Sequence, residues 1–158
     1  MNRNSLIYAV IGILFLKCDS ASNNNPISNI DYNTQISIQK ENNTIYIQID
    51  DYPEIAGFQF DLSIDNENIE IDALSAFGGV SEESNFMVST GLQNLRILGF
   101  NLNGETIESG HLSSNTLIFL TIDTNGASAL IGIENVILSG KNGYNIPVNT
   151  IPSLISVP

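Results

Sequence analysis

Residues 56–65 read AGFQFDLSID, and the fold turns on their strict alternation. Phe58, Phe60, Leu62 and Ile64 fall on one side of an extended chain, and Gln59, Asp61, Ser63 and Asp65 on the other. A strand patterned this way packs one face on a core and gives the other to water. Burying the four apolar side chains is worth about 1.5–3 kcal/mol each before the entropy of ordering them is subtracted. That marks the segment as a central strand whose loss would unfold the domain.

The same period of two recurs on both sides. Upstream, QISIQ (35–39) and TIYIQID (44–50) flank the turn residues 40–43 and read as a hairpin. Downstream come IEIDAL (69–74), FMVST (86–90), LRILGFNL (95–102), TLIFLTID (116–123), ALIGIENVIL (129–138) and a last extended stretch over 147–157. No segment sustains a helical period over three turns. Nine short strands punctuated by Gly, Asn and Asp predict an all-β sandwich or jelly roll. LRILGFNL breaks the pattern, because Leu95 and Ile97 alternate in one register while Leu98, Phe100 and Leu102 continue in the other. A β-bulge at Gly99 that returns Phe100 and Leu102 to the core is the expected explanation. Without it, Leu98 and Phe100 would be exposed apolar residues on the polar face, as at a binding surface.

The N-terminus stands apart from this pattern. Arg3 is followed by the apolar run Leu6–Leu16 and then by an Asn-rich polar stretch, the layout of a secretory signal. A permanent span wants about 20 apolar residues, more than this run supplies. Cys18 is the only cysteine. It follows the run directly, and FLKC resembles an imperfect lipobox, so Cys18 is either the lipidated first residue of the mature chain or is discarded by cleavage near Ser20, Ala21 or Ser22. In both cases no intrachain disulfide is possible. The expected organisation is a signal over 1–18, a flexible linker over 19–33 and one domain over 34–158, on a protein exported to the cell surface, periplasm or exterior.

Export of this kind leaves Lys40, Arg96 and Lys141 against all 17 acidic residues. Such a surface repels phosphate backbones and anionic headgroups, so nucleic acid is excluded as a partner and a membrane enters only through a lipid anchor. The acids Asp61, Asp65, Glu67, Glu70 and Asp72 invite a calcium reading. Yet DNENIEIDA lacks the central glycine of a calcium loop and alternates with isoleucines, so Ile69 and Ile71 are expected to point inward and the acids to water. No pair among 17 acids is singled out for glycoside hydrolysis. His111, in ESGHLSS, has no G-x-S-x-G elbow to serve and reads as a loop histidine. Gly78–Gly79 reads as turn chemistry rather than a phosphate cradle. Sugar binding calls for exposed aromatic platforms, but tryptophan is absent and Tyr32, Tyr46, Tyr52 and Tyr144 are scattered, with Tyr52 expected at an exposed turn. No metal, cofactor or catalytic residue is assigned.

Four stretches in order resemble the cohesin domain, the exported module of plant-wall-degrading scaffolds. IAGFQFDLSID resembles its third strand and LRILGF its sixth. IESGHLSSNTLIFLTID resembles the loop into its seventh, and ALIGIENVILSGKNGYNIPV its eighth strand with the following turn. The resemblance implies a nine-stranded jelly-roll sandwich and a non-catalytic module that binds a dockerin-like or other extracellular protein. A related fold implies the alternative of a carbohydrate-binding module directed at polysaccharide. Partner contacts in the family gather on the sheet of the third, fifth, sixth and eighth strands. This points to Gln59, Asp61 and Ser63 on the third strand and to Arg96 and Leu98 on the sixth.

Overall fold

The hairpin of residues 35–50 forms as the sequence predicts. In the computed structural model, which describes residues 32–66, 68–110 and 114–157, strands β1 (Gln35–Glu41) and β2 (Thr44–Asp50) pair antiparallel in unbroken register. The turn is Asn42–Asn43 alone, and Asn42 takes φ 54, a left-handed value that asparagine tolerates. Ile36, Ile38, Ile45, Ile47 and Ile49 all point inward and are buried. The signal, Cys18 and nearly all of the linker lie outside the described residues, as do Glu67 and His111.

The remaining strands are β3 (Ile55–Ile64), β4 (Ala73–Phe77), β5 (Met87–Gly91), β6 (Arg96–Phe100), β7 (Thr116–Asp123), β8 (Ala129–Gly140), β9 (Asn145–Ile146), β10 (Asn149–Thr150) and β11 (Ile155–Val157). All lie within the unit Asp31–Pro158. They form a β-sandwich of a five-stranded sheet, ordered β10-β1-β2-β7-β4, and a six-stranded sheet, ordered β11-β8-β3-β6-β5, with β9 paired to β8. One core fills the space between them. The five-stranded sheet contributes the hairpin isoleucines with Leu117, Ile118 and Leu120, and the six-stranded sheet contributes Phe58, Phe60, Leu62, Ile97, Ile131 and Leu138. Phe58 stacks between Phe60 and Phe86, at centroid distances of 6.2 and 6.1 Å. Register breaks serve this core. Between Ile47 and Gln48 the partner strand β7 skips a residue, so the consecutive Leu117 and Ile118 are both buried.

Among the described residues, eleven strands replace the expected nine. The difference is concentrated at the C-terminal end, where Pro147 and Pro152 lack the N–H that a continuous ladder needs and divide the final stretch into short pieces. The fourth strand begins at Ala73 rather than Ile69. Ile69 and Ile71 precede the strand and are only half-buried, with Glu70 and Asp72 exposed as expected. Within β4 the inward residue is Leu74, one position out of phase with those isoleucines. A five-residue helix, α1 (Gly79–Glu83), follows it. Gly78 and Gly79 turn the chain into that helix with φ of 65 and 67, and a β-carbon on Gly79 would stand 2.7 Å from the carbonyl oxygens of Thr116 and Leu117.

The expected bulge at Gly99 does not form. β6 pairs with β3 and with β5 in continuous register, Phe58 opposite Gly99 and Val88 opposite Gly99. Gly99 faces inward because the ring of Phe58 fills the place of its missing side chain. Phe100 and Leu98 therefore stand outward on the sheet, and Leu102, beyond the strand, is exposed as well.

Candidate functional site

Unbroken pairing across β5, β6 and β3 fixes what the outer face of the six-stranded sheet presents. Met87, Phe100 and Gly57 share one cross-strand row, Ser89, Leu98 and Gln59 the next, and Gly91, Arg96 and Asp61 the third. β8 continues the second row with Ile137 opposite Gln59. Met87 and Ile137 are each 52 % exposed, Leu98 39 % and Phe100 36 %. Leu98 and Ile137 thus flank Gln59 directly, with Phe100 in the adjoining row and Met87 beside Phe100, four large apolar side chains on one outer face. Isolated exposed apolar residues are ordinary, whereas a contiguous group on one face marks an interaction surface.

Bordering this group is an ion pair. Arg96 donates from Nε to Asp61 Oδ1 at 2.7 Å and from Nη2 to Oδ2 at 2.8 Å, a two-pronged contact between adjacent strands. Asn135 Nδ2 donates to Asp61 Oδ2 at 3.0 Å. This reach depends on the strand irregularity in β8, where the pairs Gln59–Ile137 and Asp61–Glu134 leave an extra residue in β8, and Asn135 within that interval takes φ 51. The Arg96 hydrogen bonds hold the Asp61 carboxyl below its ordinary titration range against an opposing push from burial, with Asn135 assisting; Arg96 is correspondingly raised by Asp61.

The expectation that Asp61 faces water is therefore corrected. It lies on the outer side of β3 by alternation, but it is only 5 % exposed, since Arg96 covers it. With its oxygens engaged by Arg96 and Asn135, it is a positioning group for the arginine rather than a free carboxylate. Gln59 and Leu98 stand directly opposite one another, as the candidate set implies. Ser63 does not join them. It sits opposite Gly132, at the other end of β3, where its hydroxyl would lie 2.9 Å from any β-carbon on that glycine.

Met87 and Ile137 were missed by sequence reasoning. Met87 was signalled as an apolar residue out of phase with Phe86 and Val88, whereas Ile137 keeps the phase of Ile131 and Ile133 in the sequence and is turned outward only by the extra residue in β8. Tyr52 is also corrected. It is buried, and burial, with Asp50 and Glu83 nearby, raises its phenol above the ordinary range. Asp65 accepts a hydrogen bond from the Leu130 amide at 2.8 Å, and Asn66 accepts from the Asn68 amide at 3.1 Å. These close a turn. Among the described residues, no group of three or more His, Cys, Asp or Glu side chains is arranged to hold a metal ion.

The class this architecture defines is the cohesin-type β-sandwich. The cohesin of the Coh-OlpC–Doc435 type I cohesin–dockerin complex from Clostridium thermocellum is 14 % identical, with a TM-score of 0.54 over 80 % of this chain and 94 % of that one. The third ScaB cohesin of R. flavefaciens, solved with a group 1 dockerin, is 13 % identical, with a TM-score of 0.56 over 82 % and 97 %. A non-cellulosomal cohesin from the hyperthermophilic archaeon Archaeoglobus fulgidus is 14 % identical, with a TM-score of 0.54 over 78 % and 90 %. No protein-family model and no curated protein matches the chain. At these identities the likeness is one of fold.

Proposed function

We propose that the protein is a non-catalytic docking module that holds a dockerin-type partner protein on the outer face of its six-stranded sheet. The observation that carries this reading is the exposed group Met87, Leu98, Phe100 and Ile137 on the face of Gln59, bordered by the Asp61–Arg96 pair. An apolar centre with a polar border is the anatomy of a protein–protein interface. The fold likeness adds support, since two of the similar cohesins were solved in complexes with dockerins. The partner-binding set becomes Gln59, Leu98 and Arg96 with Met87, Phe100 and Ile137, while Asp61 acts by orienting Arg96. Export and a role in extracellular polysaccharide-related assembly or adhesion belong to the same reading, and rest on the Leu6–Leu16 run and Cys18.

The test is a titration of the purified protein with a panel of dockerin modules, alongside pull-down from its native secretome. Leu98→Asp and Ile137→Asp, made separately, are expected to weaken capture by about 30-fold or more, the effect of losing a central anchor of roughly 2 kcal/mol. Unchanged capture in both variants would show that the partner sits elsewhere. Fractionation of cells expressing wild type and Cys18→Ala checks the export reading: surface retention lost in the variant means a lipid anchor, and cytoplasmic protein in both refutes export.

A further inference from the structure

The outer face of the other sheet carries a second arrangement, unrelated to the docking face. Four adjacent strands place Gln39, Tyr46, Phe119 and Phe77 directly opposite one another in a single cross-strand row. The Tyr46 and Phe119 rings meet edge to face at 5.2 Å, and Phe119 and Phe77 lie 5.9 Å apart at 30°. Phe77 is 48 % exposed. None of the three rings belongs to the buried core. In sequence they are far apart, which is why the tyrosines alone read as scattered; the pairing of β2, β7 and β4 assembles them.

What surrounds the rings decides their ligand. Ser37 and Gln48 pair beside the row on one side, and Ser75 and Thr121 pair beside it on the other. These neighbours and Gln39 are uncharged hydrogen-bonding side chains. In a chain of net charge −12 with 17 acidic residues, the row itself and these flanking pairs carry no charge. Two carboxylates adjoin the row: Glu41, paired with Thr44 directly beside it, accepts from the Tyr46 hydroxyl at 3.4 Å, and Glu82 stands beside Gly78, which packs on the Phe119 ring. Asp50 and Asp123 lie farther out, at strand ends. A polyanion is repelled by these acids, and their carboxylates accept hydrogen bonds from a ligand's hydroxyls as the flanking amide and hydroxyl oxygens do. The matching ligand is neutral, presents apolar C–H faces to rings and hydroxyls to amides, and is long enough to use a flat row crossing four strands, about 14 Å at ordinary strand spacing. A linear neutral polysaccharide has all of these properties.

We infer that the Tyr46–Phe119–Phe77 row is a binding platform for a neutral linear polysaccharide, on the face opposite the docking surface. Sugar rings stack their C–H faces on the aromatics while equatorial hydroxyls reach Gln39, Gln48, Ser75 and Thr121. The module would then hold a protein with one sheet and a glycan with the other.

The test is retention of the purified protein on microcrystalline cellulose, insoluble xylan, mannan and β-1,3-glucan, repeated at about 1 M NaCl, where charge attraction is screened. Retention on at least one of these, resistant to salt, is expected. Phe77→Ala is expected to weaken it by about tenfold, Gln39→Ala by less, and Phe77→Tyr is expected to keep it, each variant being first checked for a native circular dichroism spectrum. Leu98→Asp, on the opposite sheet, is expected to leave glycan retention unchanged, so failure of this proposal and failure of the docking reading are separable. Four results would overturn the platform. They are no retention on any of the four glycans, retention indifferent to both Phe77→Ala and Gln39→Ala, retention abolished by salt, or a wild-type dimer that Phe77→Ala dissolves, which would assign the row to self-association.

Discussion

Gly99 stands directly opposite Phe58, and the Phe58 ring occupies the space that a β-carbon on Gly99 would need. The glycine is thus a packing residue of the inner face. Adding one methyl forces the ring out of its stack between Phe60 and Phe86. Gly99→Ala is expected to destabilise the domain by about 1–3 kcal/mol, as overpacking does. Phe58→Leu frees that space, so a double-mutant cycle by urea unfolding should give a coupling of about 0.5–3 kcal/mol, the pair costing less than the sum of its members. Additive effects would mean that the two residues do not share this space.

This pair also shows where the sequence is legible. AGFQFDLSID predicts its own strand because each side chain's destination follows from its neighbours two positions away, and TLIFLTID predicts β7 at the observed bounds. The letter G in LRILGFNL does not distinguish a bulge from a glycine that makes room for a ring, because the ring lies on another strand. Asp61 was misread for the same reason. Its burial is imposed by Arg96 from β6 and Asn135 from β8, and no pattern within β3 contains either. Local alternation carried the architecture. Cross-strand register, which the sequence leaves open, decided which outward residues gather into faces.

The Asp61 carboxyl is held below the ordinary aspartate value of 3.8 chiefly by its hydrogen bonds from Arg96. A carboxylate whose folded pKa lies below its unfolded value contributes stability that is complete above the unfolded pKa and is lost as the pH falls through the folded one. The contribution therefore holds above about pH 4 and disappears below it. Arg96 stays protonated throughout and sets no limit of its own. Arg96→Gln removes the main cause of the depression and leaves burial pushing the other way. Its acid unfolding midpoint is expected at a higher pH than that of the wild type, measured by circular dichroism from pH 7 to about pH 2. Coincident acid transitions would show that the pair does not govern this limb.

On the outer face of the six-stranded sheet, the exposed centre is apolar and the arginine at its border already has its counter-ion. Screening by salt then has little long-range attraction to remove. Affinity for a captured partner is expected to change by less than about threefold between roughly 0.05 and 0.5 M NaCl, where the Debye length shrinks severalfold. Isothermal titration across that range is the measurement. A steep loss of affinity would place the acidic surface, rather than Leu98 and its neighbours, at the heart of the contact.

Asn135 performs two tasks that substitution can separate. Its φ of 51 lies in the left-handed region, and its side chain donates to Asp61. Asn135→Gly keeps the backbone geometry and loses the hydrogen bond, at a cost of about 0.5–1.5 kcal/mol. Asn135→Ala loses the same bond and adds the left-handed penalty of a β-carbon, about 1–2 kcal/mol more. Alanine is therefore expected to fall below glycine in urea unfolding. Both variants are expected to raise the acid transition, since each removes one of the groups that lower the Asp61 titration. Equal stabilities for the two would mean that β8 relaxes its extra residue into an ordinary extended conformation. In that case Asp61 would lose the asparagine that the irregular strand delivers, and Arg96 would be held by the carboxylate alone.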